Sequence, residues 1–137
     1  MKKTKSLLIQ LLSLLNQRFI KHERLRDNAP ESFDSVFIAN LIHVVENPSK
    51  ALQECHRILR GRDRIEIVTF TGFGMSLWEK IKMGVRFSKA WGRPPAHTHS
   101  FSLEDVESML GETGFVVEQS KLIGNRTKAL FLVGRKN

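Results

Sequence analysis

Phe33-Asp-Ser-Val-Phe-Ile-Ala-Asn40, Asn47-Pro-Ser-Lys-Ala-Leu-Gln-Glu-Cys-His-Arg-Ile-Leu59 and Arg64-Ile-Glu-Ile-Val-Thr-Phe70 follow one another along the chain. The first and third runs are short, mostly apolar and partly β-branched, which suits strands covered on both faces. Between them Asn47 is a helix N-cap candidate and Pro48 fits the first helical turn. Ala51, Leu52, Cys55, Ile58 and Leu59 then recur at helical spacing up to Gly61, where a helix is expected to stop. A strand-helix-strand unit of this kind places its two strands parallel.

Working outward, residues 71–100 change character. Glycines at 72 and 74 precede a helical stretch, Met75 to Trp91, with scattered aromatic and basic residues, and then the loop Gly92-Arg-Pro-Pro-Ala-His-Thr-His-Ser100. Ser102-Leu-Glu-Asp105 has the form of a capping box, opening a helix that carries Leu103, Val106, Met109 and Leu110 on one side and ends at Gly111 or Gly114. Two further strands are predicted, Phe115 to Leu122 and Lys128 to Val133, joined by a turn at Gly124-Asn125.

Upstream, Lys2, Lys3 and Lys5 precede the apolar run Ser6 to Leu15, the outline of a signal peptide. Gln10 interrupts the run and no small-residue cleavage pattern follows, so an amphipathic or buried helix is expected, followed by a charged surface loop to residue 30. The run is too short to span a bilayer, and no membrane association is expected. One cysteine, Cys55, excludes an intrachain disulfide and points to a reducing, cytoplasmic compartment. Twenty-two Lys and Arg against fourteen Asp and Glu leave a formal charge of +8, which permits an anionic partner without selecting one.

Periodicity alone reaches an α/β domain with a mixed sheet. The residues themselves carry a resemblance: Ser32-Phe-Asp-Ser-Val36, then Ile42-His43-Val44, Asn47-Pro48, Ala51-Leu-Gln-Glu54 and Arg57-Ile-Leu59, with His99-Ser-Phe-Ser-Leu-Glu-Asp-Val106, Leu110 and Thr113-Gly-Phe115 downstream. In this order and spacing they resemble the carboxyl-terminal half of the class I S-adenosylmethionine-dependent methyltransferases of small-molecule type. The resemblance covers about residues 31–135 and implies a Rossmann-like α/β fold with flanking helices. The four strands would be that family's fourth to seventh, in spatial order 4, 5, 7, 6. Residues 1–30 would stand apart as a helix and charged loop, 31–137 would form the partial domain, and 71–100 would serve as a substrate lid.

The resemblance implies S-adenosylmethionine as cofactor and a small-molecule methyl acceptor. It assigns Asn40, Leu41 and His43, beyond the end of a strand, to the methionine side of the cofactor cleft, with His43 the one candidate general base. Turn capping by Asn40 and packing by His43 are the structural alternatives. Trp78, Phe87 and Trp91 would belong to the lid. Met75, Trp78, Ile81, Val85 and Phe87 also have a spacing that fits simple packing. The mixture of Trp78, Lys80, Lys82, Arg86, Phe87, Lys89, Trp91 and Arg93 admits nucleic acid, which ranks below lid or packing. Glu23 and Asp27 match loosely the acidic position the family turns toward adenine, against a plain reading as solvated loop charges. His97 and His99 form a His-x-His pair without a third ligand, so no metal is expected. Asp34, at the far end of its strand, is expected to be structural.

Two departures from the family pattern shape the functional expectation. No glycine occurs before Gly61, so the glycine-rich cofactor loop has no counterpart, and Leu59-Arg-Gly-Arg-Asp63 replaces a Lys-Pro-Gly-Gly connector. The expectation is a truncated methyltransferase-family chain, active only as an assembled or domain-swapped oligomer. The alternatives are a non-catalytic remnant serving as an interaction module, or a basic nucleic-acid binder.

Overall fold

A computed structural model describes residues 6–10, 28–93, 98–125 and 127–137, with side chains from residue 28 onward except at Trp91. The central unit forms where the sequence places it: β2 (Phe33–Ala39), α1 (Pro48–Ile58) and β3 (Leu59–Thr71), the two strands pairing in parallel. Asn47 caps α1, its side-chain oxygen accepting from Lys50 N at 2.9 Å, with Pro48 in the first turn. The helix ends at Ile58 rather than running to Gly61. Leu59, fully buried, enters the sheet opposite Phe33, and that burial outweighs the glycine signal. The amine of Lys136 satisfies the Leu59 carbonyl at 2.6 Å, a cation closing a helix end.

Downstream lie α2 (Leu77–Trp91), α3 (Leu103–Glu112), β4 (Phe115–Ile123) and β5 (Lys128–Lys136). Both capping boxes are reciprocal. Ser102 accepts from Asp105 N at 3.2 Å while the Asp105 carboxylate accepts from Ser102 N at 2.8 Å, and Ser76 with Glu79 repeats the pattern at the start of α2. With β1 (Ser6–Gln10), the described residues form a five-stranded sheet in the order β1-β2-β3-β5-β4, in which β3–β5 and β4–β5 are antiparallel. The order β2-β3-β5-β4 is the expected 4, 5, 7, 6.

The fifth strand corrects an expectation. Ser6–Gln10 is not helical; it is strand β1, parallel to β2 with Ser6 opposite Ser35 and Gln10 opposite Ala39. An apolar run this short reads equally as helix or strand, and the unpaired backbone along β2 decides the matter by offering a full ladder. The edge of β2 is therefore covered by the chain's own backbone and needs no swapped copy to pair it. The remainder of the leading segment and its charged loop, residues 11–27, lies outside the described residues.

The core sits on one face of the sheet. Val36, Ile38, Ile65, Ile67, Leu130 and Leu132 point to that side, against Leu52, Cys55 and Ile58 of α1 and Val106 and Leu110 of α3. Burial lifts the Cys55 thiol to about 12, so the cysteine is an inert packing residue. On β3 these positions alternate with exposed Glu66 and Phe70, so among the described residues the strands are covered on one face and not on both. A bulge between Val117 and Gln119 frees Glu118 to bind both Arg64 and Arg135, which stand opposite each other on β3 and β5. Asp34 pairs with Arg60 at the amino-terminal end of β2, a structural role.

Gly114 turns the chain from α3 into β4 at φ 91°, and a Cβ there would lie 2.8 Å from His56 Nε2. The Gly114→Ala change is expected to cost at least about 1–2 kcal/mol from backbone strain alone. A urea midpoint equal to that of the parent would contradict this account of the turn.

Candidate functional site

Strands β2 and β3 finish side by side, and the cleft opens beyond their carboxyl ends. Asn40 leaves β2 in the left-handed region at φ 52°, a conformation asparagine tolerates better than most residues. Its backbone N–H still donates to Val68 O at 2.8 Å, so the turn is anchored to β3. Its side-chain oxygen is buried without a hydrogen-bond partner. Leu41 and Ile42 then dive into the core.

His43 follows, only 8% exposed. Its Nδ1 is hydrogen-bonded with the Thr69 hydroxyl at 2.6 Å, which leaves Nε2 as the uncommitted ring nitrogen. Burial, reinforced by the neighbouring His99, lowers its pKa to about 4, so the ring is neutral near pH 7. The His43 carbonyl accepts from His99 N at 2.7 Å, and the His99 ring stacks on Phe101 with its Nε2 buried and unpartnered. Thr71 donates to Phe101 O at 2.5 Å, tying the end of β3 to the segment that leads into α3.

These groups border a cleft of about 920 Å³. His43, Thr71 and His99 lie on the sheet side, Phe70 and Met75 contribute apolar wall, and Met83 and Phe87 of α2 face them. Lys80, Lys82 and Arg86 stand at its exposed margin.

The structure thus separates residues that the sequence analysis grouped. His43 lines the cleft; Asn40 and Leu41 do not, Asn40 lying at the strand exit and Leu41 within the core. Of the lid residues Phe87 lines the cleft, whereas Trp78 is 67% exposed on the outer side of α2. The Trp91 side chain, together with Glu23, Asp27 and His97, lies outside the described residues. The packing expected of Trp78, Ile81 and Val85 is not observed: with Leu77 they form an exposed apolar face, and only Met75 of that set is buried. Two features went unassigned in the sequence. Thr69 sits 26 positions from His43, and only strand pairing brings it there; the Ser76-x-x-Glu79 box, by contrast, was a readable signal for the start of α2. Among the described residues no three side chains cluster as metal ligands, and no helix is long and apolar enough to cross a membrane.

Comparison with known proteins accords with this geometry. A family model described as a methyltransferase domain matches residues 9–65. No curated protein matches the sequence. Among solved structures, an S-adenosylmethionine-dependent methyltransferase from Methanosarcina mazei is similar at 18% identity and TM-score 0.62, over 80% of this chain and 62% of that one. One from Thermotoga maritima is similar at 20% identity and TM-score 0.58, over 81% of this chain and 59% of that one. The Burkholderia thailandensis 1,6-didemethyltoxoflavin-N1-methyltransferase, solved with 1,6-didemethyltoxoflavin and S-adenosylhomocysteine, is similar at 16% identity and TM-score 0.60, over 82% of this chain and 48% of that one. The chain therefore spans about three-fifths of the length of the first two. At these identities the likeness speaks for the fold. The chain therefore has the fold of solved S-adenosylmethionine-dependent methyltransferases, and its residues 9–65 are similar to a methyltransferase domain.

Proposed function

We propose that this chain forms the acceptor side of a methyl-transfer site for a small molecule, with S-adenosylmethionine as donor. The observation that carries the proposal is the cleft at the carboxyl ends of the parallel strands β2 and β3, with a neutral, buried histidine on its floor. Open α/β sheets take their ligands in this position.

The fit to the cofactor is partial. The orphaned Asn40 side-chain oxygen suits a donor such as the methionyl ammonium group, because a buried acceptor needs a partner. Leu41 and the adjoining turn supply an apolar backing. A glycine-rich turn for the rest of the cofactor has no counterpart before Gly61. That element would come from other polypeptide, either in the same chain or in a second copy, so activity belongs to the assembled site. When bound, the cofactor supplies an electrophilic sulfonium methyl group.

The chain's own residues orient the acceptor and exclude water. His43, fixed by Thr69, presents Nε2 to the acceptor heteroatom, and its low basicity favours positioning by a hydrogen bond over outright deprotonation. Phe87 closes the cleft from α2. The inert Cys55 thiol is compatible with a cytoplasmic setting.

One observation favours a second reading, an interaction module without catalysis: the exposed Leu77, Trp78, Ile81 and Val85 face of α2 invites a protein partner or another copy. Calorimetric titration with S-adenosylmethionine separates the two. Micromolar binding is expected for a methyl-transfer site, and silence at millimolar cofactor would leave the module. A salt-sensitive mobility shift with RNA or DNA would instead favour the basic nucleic-acid binder.

A further inference from the structure

We infer that the cleft selects an aromatic acid, held with its carboxylate or phosphate at the mouth and its hydroxyl or amino group on the floor. The assignment of the floor end as the methylated end rests on the methyl-transfer reading above. The selection for an anion does not.

The walls come first. Phe70, Met75, Met83 and Phe87 line the cleft, and a lining of thioethers and aromatic rings takes flat aromatic groups well. The charges follow a different distribution. Four charged side chains line the cleft: Glu79, Lys80, Lys82 and Arg86. The one acid is engaged, its carboxylate accepting from Ser76 N at 2.8 Å and completing the cap of α2. The three cations form no ion pair among the described residues, and all three side chains are exposed at the margin. The mouth is therefore a positive rim around an apolar interior.

The floor is polar, and its His43 ring is neutral near pH 7. His43 and Thr71 are 8% and 2% exposed, and His99 Nε2 is buried with no partner. No Lys or Arg lines the floor, whereas a phenol or arylamine finds imidazole nitrogens able to donate or accept. A ligand that satisfies both ends carries its charge away from its neutral heteroatom. The anion is then a handle and is not the atom that receives a methyl group.

The test uses three matched probes without cofactor: a hydroxynaphthoate, the same naphthol with a neutral hydroxymethyl group in place of the carboxylate, and its aminomethyl counterpart. At low salt the carboxylate is expected to bind about tenfold tighter than the neutral probe, with the cationic probe weakest, and the preference should shrink as salt screens the rim. A variant combining Lys80→Gln, Lys82→Gln and Arg86→Gln, all at exposed positions, should erase the preference and leave the neutral probe within about twofold of its parent affinity. Equal affinities for the three probes, no binding of any, or a carboxylate preference that survives the triple variant would overturn the inference. An anion preference together with no response to S-adenosylmethionine would retire the methyl-transfer reading and leave the cleft's selectivity standing. A hydroxynaphthyl phosphate in place of the carboxylate tells which anion the rim prefers.

Discussion

Acidification from pH 7 to about pH 4 is expected to remove about 3 kcal/mol of folding stability through His43 alone. The ring's pKa falls from 6.5 to about 4 in the folded chain because burial penalises the imidazolium, with His99 adding repulsion. The unfolded chain therefore takes up its proton first as pH falls. The contribution is fully present above about 6.5 and is lost progressively on the way down to about 4, each pH unit across that interval being worth about 1.36 kcal/mol. His56, whose pKa is also lowered by burial, with Lys136 nearby, pulls in the same direction. Comparing urea unfolding of the parent with His43→Gln isolates the His43 contribution. The variant should be less stable at pH 7, since the Thr69 bond is lost, yet its stability should decline less steeply with acid. Coincident slopes would mean that His43 titrates normally and is not held neutral. The lowered basicity also bears on catalysis: the rate of an assembled enzyme should show no inflection from His43 between pH 6 and 7, because that ring stays neutral throughout the range.

Leu132→Ala is expected to cost about 3–4 kcal/mol, a large part of the stability of a domain this size. Leu132 is fully buried on β5, the strand that joins β3 to β4, opposite Ile67 on one side and Ser120 on the other. Truncation opens a cavity at the centre of a sheet whose core, among the described residues, lies on one face. Val116→Ala, at a position 40% exposed, should stay within about 0.5 kcal/mol of the parent. If the two variants unfold at similar urea concentrations, the core has been placed on the wrong face.

The strand-helix-strand unit was legible because its signals are local. Asn47 and Pro48 start α1, Ser102 and Asp105 start α3, and Gly124 turns β4 into β5, each acting on groups a few residues away. The sheet order followed from the family resemblance, since periodicity identifies strands without ranking them. Less of the site was legible. His43 was found because it follows a strand end, but its partner Thr69 and its neighbour His99 come from other segments, and its neutrality depends on burial that no spacing reveals.

The sequence by itself determined which segments are strands and helices over residues 33–137, where three of the helix and turn boundaries fall, and which family's pattern the chain resembles. Tertiary structure alone decided that Ser6–Gln10 is a strand, that Leu59 ends α1, and that Trp78, Ile81 and Val85 face outward. The physical reason is the same in each case. A short apolar run or an amphipathic helix has several nearly equal local choices, and the choice falls to whichever surface or unpaired backbone the rest of the chain presents.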